Sequence, residues 1–154
     1  NNRGGSSGWH GHVYIEASIN YTATKYPNLA QNLTALVETA QAEFEAAAIE
    51  FFVETLKLAK ELRPKALWGF YGFPYAFNGE CEIGTTKCGY ENPTLGPLWR
   101  AENDKLAAIW EHSGALYPSV YLYGQGLDPY DLWQMEQQTR TRNAVNEAIR
   151  LSRT

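Results

Sequence analysis

The chain has 154 residues, of which 44% are hydrophobic and 19% charged, values that are typical of one globular domain and exclude global disorder. Its formal net charge of −4, with no cluster of Lys and Arg, argues against general nucleic-acid binding. Its apolar runs are short and interrupted by Glu or Lys, so we expect no membrane-spanning helix.

Residues 1–12, NNRGGSSGWHGH, are rich in Gly and Ser and predict a flexible loop. His10 and His12 have a spacing that suits a metal, but two ligands on a flexible segment make a poor site. We therefore expect no metal and no other cofactor. Asn1 is not an initiator methionine, which favours a processed chain or a piece of a longer protein.

Two kinds of motif favour a secreted, extracellular protein. Asn20-Tyr-Thr and Asn32-Leu-Thr are acceptor triplets for N-glycosylation. Cys81 and Cys88 lie in a polar, Gly-containing segment, where they form either a loop-closing disulfide or a pair of free thiols. The disulfide is the favoured alternative, since such bonds persist in oxidising compartments.

The first long element is a predicted amphipathic helix that runs from Leu33 to the stop at Arg63-Pro64, because a proline disfavours a helical residue before it. Its apolar positions recur at steps of three and four and predict one buried face: Leu33, Val37, Ala40, Phe44, Ala47, Phe51, Thr55, Leu58 and Leu62. The glutamates and Lys57 mostly lie on the other faces, as in a solvated surface and not an acid–base pair.

The next elements alternate. Residues 66–73 are a short apolar run bounded by prolines, which predicts a strand buried on both sides. A loop rich in Gly, Pro and Thr is predicted over 79–98, a helix over 102–113 and a second strand over 116–123. On the helix, Leu106, Ile109 and Trp110 share one face.

A last helix is predicted from Asp128-Pro129 to the end of the chain. Asp128 suits its N-cap and Asp131 its capping box, so capping explains both acids better than a catalytic pair does. The order helix, strand, helix, strand, helix predicts an α/β fold with parallel strands. Two such strands do not close a barrel, so we expect the middle of a larger fold.

The stretch LRPKALWGFYGFPYAFN resembles the strand-four segment of the hyaluronidases, glycoside hydrolase family 56. Four further segments agree in order and spacing: VYIEAS, EFEAAAIEFFVETLKLAKELRP, ENDKLAAIWEHSGALYPSVYL and RNAVNEAIRLSR. The resemblance covers the chain from about Val13 to Arg153. Residues 1–12 precede it as the flexible segment that their composition predicts, and for residues 13–154 the resemblance implies an incomplete portion of a TIM-like (β/α) barrel.

The resemblance also implies cleavage of hyaluronan or chondroitin by substrate-assisted retention, in which a Glu protonates the leaving oxygen and the substrate's acetamido oxygen attacks the anomeric carbon. An Asp and a Tyr position that acetamido group. Trp68-Gly69-Phe70-Tyr71 matches the family's pattern, so Tyr71 is the expected positioning tyrosine. The family's Asp-x-Glu motif has no counterpart in these 154 residues, so we expect no activity from this chain by itself.

The alternation of a strand sends Leu67, Gly69 and Tyr71 to one face and Trp68 and Phe70 to the other. If the first set faces the barrel interior, Tyr71 lies near the strand's carboxyl end, where barrel active sites are built.

Two more aromatic residues follow the same segment. Tyr75 stands where many members of the family have Asp, and Phe77 stands where they have Tyr. Both offer a flat surface to a sugar ring, so Tyr71, Tyr75 and Phe77 are the expected substrate-binding residues. A purely core-forming role for Tyr75 and Phe77 stays open.

The resemblance bears on the cysteines as well. The family's cysteine after the Phe-Pro pair is Ala76 in this sequence. Its partner lies further along the same loop in the family, where this chain holds Cys81 and Cys88. The resemblance therefore implies that the bridge has moved to Cys81–Cys88.

Two functions stay open. In the first, the chain is part of a secreted hyaluronidase whose acid motif is supplied elsewhere. In the second, it is a non-catalytic relative with a structural, carbohydrate-binding or assembly role. Incomplete sheets leave edges and apolar helix faces that need covering, so in both we expect another protein chain or a second copy as a partner, and neither nucleic acid nor membrane.

Overall fold

The computed structural model describes residues 8–75, 89–121 and 132–153. Helices dominate these ranges, and they are, in chain order, α1 Gly8–Lys25, a short 3₁₀ helix Pro27–Gln31, α2 Leu33–Leu62, α3 Leu95–Asp104, α4 Ala107–His112 and α5 Leu132–Leu151. Two compact units are present, Asn1–Phe52 and Val53–Thr154, and the boundary falls within α2. Within the described ranges, no helix combines the length and the apolar character needed to cross a membrane.

In the first unit, α1 packs on the beginning of α2. The Ser18 hydroxyl donates to the carbonyl of Ala40 at 3.1 Å, and the rings of Tyr14 and Phe44 lie 6.2 Å apart. Because α1 begins at Gly8, residues 8–12 are helical and not in the loop that we predicted. Extending a formed helix by a residue costs far less than nucleating one, so the helical stretch that follows accommodates this Gly-containing turn.

The bounds of α2 agree with the prediction. The Asn32 side-chain oxygen accepts the N–H of Ala35 at 3.1 Å and caps the first turn, and Pro64 follows the last turn. The predicted buried face is wrong: of its nine positions, Ala40 is buried and the other eight are exposed. The residues of α2 that are buried are Leu36, Ala40, Val53 and Leu56. An alanine-rich helix has apolar residues on more than one face, and the elements packed against it decide which face is covered.

The two predicted strands are not formed as strands in the described part of the chain. Isolated bridges join Tyr71 and Phe73 to Tyr117, the first of them parallel and the second antiparallel. The N–H of Gly114 donates to the carbonyl of Trp68 at 2.6 Å, and the N–H of Gly72 donates to that of Tyr117 at 2.8 Å. The chain up to Tyr71 therefore lies beside the second segment with a parallel bridge, and the bridge after Gly72 is antiparallel. A pair of segments that has no further neighbours in the described part of the chain supports only a short ladder.

The first of these segments is also not buried on both sides. Leu67 and Tyr71 are 67% and 64% exposed, whereas Trp68 and Phe70 are half-buried. Leu67 and Tyr71 are therefore open to solvent, whereas Gly69, which strand alternation would place on the same face, is half-buried and lies against Ala115 and Tyr117.

The predicted helix over 102–113 is two helices, and α3 begins at Leu95, inside the predicted loop. The side-chain oxygen of Asn92 accepts the N–H groups of Thr94 and Leu95 at 2.8 and 3.0 Å, which caps this earlier start. A tight turn separates α3 from α4, where the N–H of Leu106 donates to the carbonyl of Asn103 at 3.0 Å.

On α4, Ile109 and Trp110 are buried, as the shared face predicts. Helix α5 buries a face of its own: Asn143, Ala144, Glu147 and Leu151. Several residues singled out in the sequence lie outside the described ranges: Ala76, Phe77, Cys81, Cys88, Asp128 and Asp131.

Candidate functional site

Tyr71 lies near the end of the first of the two paired segments, residues 66–73, and its ring is exposed to solvent. Its hydroxyl forms a hydrogen bond of 2.9 Å with the hydroxyl of Ser119, and its ring meets that of Tyr121 edge-on, with 6.2 Å between centroids. Ser119 and Tyr121 both belong to the second segment. The pairing of the two segments therefore orients the tyrosine that the sequence singles out.

Tyr75 is four residues further along the chain, and its side chain is 58% exposed. Between the two tyrosines the chain turns at Gly72, whose φ of +85° is a conformation that residues with a side chain rarely adopt. The side chain of Pro74, which belongs to the same turn, is fully buried. We call residues 71–75 the tyrosine turn.

Gly69 explains the close approach of the two segments. A side-chain carbon at this position would overlap the carbonyl oxygen of Ala115 and touch the ring of Tyr117. Tyr117 in turn donates its hydroxyl to the carbonyl of Leu67 at 2.8 Å. The glycine in the Trp-Gly pair therefore makes room for the neighbouring segment, which carries the partners of Tyr71.

A buried polar network lies behind the tyrosine turn and centres on Glu147 of α5, which is 0% exposed. Arg150 donates hydrogen bonds to both carboxylate oxygens, at 2.8 Å from Nε to Oε2 and 2.7 Å from Nη2 to Oε1. The hydroxyl of Tyr90 donates to Oε2 at 2.7 Å, and the side-chain amide of Asn103 donates to Oε1 at 2.8 Å. Every oxygen of this buried carboxylate is thus satisfied twice.

The electrostatics of the network follow from its geometry. Burial by itself would raise the pKa of Glu147, but the hydrogen bonds from Arg150, Tyr90 and Asn103 outweigh it and lower that pKa. Burial and the hydrogen bond to Glu147 raise the pKa of Tyr90. Glu147 is therefore a fixed anion at neutral pH. Since a proton donor for glycoside cleavage needs a raised pKa, this carboxylate does not suit that role.

Asn103 connects the network to the tyrosine turn. The amide nitrogen that donates to Glu147 also donates to the backbone carbonyl of Tyr75 at 3.0 Å. The carbonyl of Tyr75 therefore points inward while its ring is exposed.

A separate cleft of about 660 Å³ lies between α4, residues 113–118 and α5. Trp110, Glu111, Leu116, Val145 and Ile149 are among its lining residues, and neither of the two predicted substrate-binding residues that the structure describes, Tyr71 and Tyr75, is. The exposed face of α5 that carries Val145 and Ile149 forms one wall.

The other predicted sites are placed as follows. Asn20 lies on α1 and Asn32 before α2, both exposed, whereas Thr22 of the first acceptor triplet is buried. His10 and His12 lie on α1. Within the ranges that the structure describes, no three His, Cys, Asp or Glu side chains lie close enough to hold a metal ion.

Sequence reasoning missed Ser119, Asn103 and Glu147. Ser119 follows Tyr117 by two residues, so strand alternation on the second segment was the available signal. Glu147 and Arg150 have an i, i+3 spacing that suggests an ion pair on a helix, but nothing local indicates that it is buried or that Asn103 joins it.

Comparison with known proteins places these features in a family. A protein-family model described as hyaluronidase matches residues 7–154. Hyaluronidase-5 of Mus musculus is 41% identical over 141 residues, and hyaluronidase PH-20 of Homo sapiens is 40% identical over 141 residues, each match covering 92% of this chain. Hyaluronidase-3 of Rattus norvegicus is 34% identical over 150 residues, or 97% of the chain.

The same matches cover 24%, 25% and 34% of the three relatives. The chain therefore spans between about a quarter and a third of the length of these curated relatives.

Proposed function

Because the chain belongs to the hyaluronidase family, we propose that it supplies part of the glycan-binding region of a glycosidase that acts on hyaluronan or chondroitin. The observation that carries this proposal is the tyrosine turn: Tyr71 and Tyr75 expose their rings on one short segment, and the hydroxyl of Tyr71 is held by Ser119. Exposed aromatic rings beside an oriented hydroxyl suit a sugar ring, which needs both an apolar surface and a hydrogen-bonding group.

In this proposal, Tyr71 positions the acetamido group of an N-acetylhexosamine, and Tyr75 and Phe77 extend the binding surface. The reaction is the substrate-assisted one, in which the acetamido oxygen attacks the anomeric carbon while a carboxylic acid protonates the leaving oxygen. That acid belongs to an Asp-x-Glu motif, which does not occur in these 154 residues. The chain is therefore inactive by itself and active when completed by residues that carry the motif.

The proposal extends to the whole assembly. The complete catalytic domain is a TIM-like (β/α) barrel, to which residues 13–154 contribute two parallel segments and their helices. The protein is secreted, with a Cys81–Cys88 disulfide and glycans on Asn20 and Asn32. Support for the barrel comes from the parallel bridge between Tyr71 and Tyr117 and from the exposed side chain of Leu67, which further strands would cover.

A non-catalytic, carbohydrate-binding or assembly role is the alternative. The observation that favours it is Phe77, which stands where the family has Tyr. Peptide mapping of native material separates the two functions, because the catalytic one requires a peptide with the Asp-x-Glu motif on the same chain or on a partner.

The test substitutes Tyr71→Phe in the native protein and measures the depolymerisation of hyaluronan. Loss of a hydroxyl that acts on the developing charge is expected to lower kcat by about 100-fold or more. Tyr14→Phe is the matched control, since Tyr14 is also exposed and lies on α1. Equal activity of the two variants would remove Tyr71 from the mechanism, and cleavage of hyaluronan by the purified 154-residue chain would disprove its inactivity.

A further inference from the structure

Asn103 is 4% exposed and has two acceptors in front of one amide nitrogen. One is Oε1 of Glu147 at 2.8 Å, and the other is the backbone carbonyl of Tyr75 at 3.0 Å. An amide nitrogen carries two hydrogens, so it satisfies both acceptors at once. Asp has no donor when ionised and Ser has one, so among side chains of similar size the amide fits these two acceptors best.

The other end of this link is rigid. Glu147 is held by both Nε and Nη2 of Arg150, and Arg150 also pairs with Asp104 at 2.7 Å. Bidentate pairs between a guanidinium and a carboxylate fix the orientation as well as the distance. The amide of Asn103 is therefore anchored between α3 and α5, and the Tyr75 carbonyl binds to an anchored group.

The backbone of Asn103 provides a second connection to the same turn. Its carbonyl accepts the indole N–H of Trp110 at 2.9 Å. The ring of Trp110 lies 6.2 Å from that of Phe73, which is in the middle of the tyrosine turn. The turn is thus contacted at two places, by the hydrogen bond at Tyr75 and by ring packing at Phe73, and Asn103 binds to the first through its side-chain amide and to Trp110 through its backbone carbonyl.

We propose that Asn103 is a positioning residue, which transmits the fixed geometry of the Glu147–Arg150 pair to the tyrosine turn and so sets where the rings of Tyr71 and Tyr75 meet the glycan. This inference rests on the proposed function for its consequence in glycan binding. Its structural part, the control of the turn by a buried amide, stands on the contacts alone.

The test compares Asn103→Asp with Tyr90→Phe in the native protein. Both substitutions remove hydrogen bonds from Glu147 and both lower stability, but Tyr90→Phe leaves the amide of Asn103 on the Tyr75 carbonyl. Ring signals of Tyr71 and Tyr75 are followed by NMR in the ligand-free protein with ¹³C-labelled tyrosine. Binding of a hyaluronan hexasaccharide is then titrated.

Asn103→Asp is expected to shift or broaden both ring signals and to weaken hexasaccharide binding about tenfold, as the loss of one hydrogen bond implies. Tyr90→Phe is expected to leave the signals in place and to change binding less than about twofold by the same measure. Unchanged signals in folded Asn103→Asp, or equal changes in both variants, would overturn the proposal.

Asn103→Ala covers the case in which Asn103→Asp does not fold. No side-chain donor remains in this variant, so shifts of the same ring signals support the proposal and unchanged signals contradict it. If the unmodified protein does not bind the hexasaccharide, the proposed function fails, while the ring signals still decide whether Asn103 positions the turn.

Discussion

Two neighbouring regions of the second unit invert the usual distribution of polar and apolar groups. The tyrosine turn and the segment beside it expose aromatic rings, those of Tyr71, Tyr75 and Tyr121 among them. The network behind them buries a carboxylate and an amide, those of Glu147 and Asn103. The fold around the exposed rings does not explain their exposure to water, whereas both oxygens of the buried carboxylate and the amide nitrogen of Asn103 have hydrogen-bond partners.

The contrast distinguishes two kinds of evidence for function. A buried charge is costly unless it is paired, so a carboxylate with four hydrogen bonds is explained by the fold. Large rings in solvent lose the free energy that burial would provide, so they point to a ligand or to a covering surface. The tyrosine turn is therefore the part of this contrast that we propose as the site, and the network is its proposed support.

The largest expected effect comes from breaking the network. Glu147→Ala leaves the guanidinium of Arg150 and the groups of Tyr90 and Asn103 without their acceptor, and the free energy of unfolding is expected to fall by about 3–5 kcal/mol. The control is Glu91→Ala, which removes an exposed ion pair with Arg142 and should cost about 0–1 kcal/mol. Urea unfolding measures both, and similar losses would mean that the network is not what supports this unit.

A smaller effect is expected where the two extended segments meet. Gly69→Ala places a methyl group against the carbonyl of Ala115, and overpacking of this kind typically costs about 1–3 kcal/mol. Gly114→Ala is the control, because its added carbon would lie 3.1 Å from the nearest atom, the backbone nitrogen of Trp68. Thermal unfolding should show the greater loss for Gly69→Ala, and the reverse order would contradict the close packing at Gly69.

The smallest effect is the dependence of stability on pH. The folded pKa of Glu147 is below its ordinary value, so its contribution is present above an unfolded pKa of about 4.3 and is lost as the pH falls through the folded value. The folded pKa of Tyr90 is above 10.0, so its contribution is present below pH 10.0 and is lost as the pH rises through the folded value.

Urea unfolding between pH 3 and 7 tests the sign for Glu147. The difference in stability between the unmodified protein and Glu147→Gln should be constant near neutral pH and should shrink on the acid side. A difference that grows as the pH falls would show that the carboxylate is not stabilised as an anion.

Much of the helical structure was predictable from local signals. The period of α2 and the proline at 64 set its bounds, and the shared face of Ile109 and Trp110 on α4 is buried as expected. The early start of α3 was missed. The predicted loop over 79–98 contains Asn92, a residue type that often caps helices, and its side chain does bind the N–H of Thr94. Helix α1 was missed because the residues before it and in its first turns are rich in glycine and serine, which favour a loop.

The candidate site was predictable in part. Tyr71 and Tyr75 are on the surface, as a binding role requires, while the strand that was expected to carry Tyr71 is reduced to isolated bridges. Their roles in the reaction stay predictions. The polar support was not predictable, because Glu147 is 44 residues from Asn103 and 57 from Tyr90.

By itself, the sequence determined where the long helix begins and ends and which family motif the chain carries, since periodicity, capping and a motif are properties of neighbouring residues. The tertiary structure decided which face of α2 is buried and which carboxylate becomes a fixed anion. Both depend on the elements that pack from elsewhere in the chain, because burial and hydrogen-bond satisfaction are properties of a residue's surroundings and not of its neighbours in sequence.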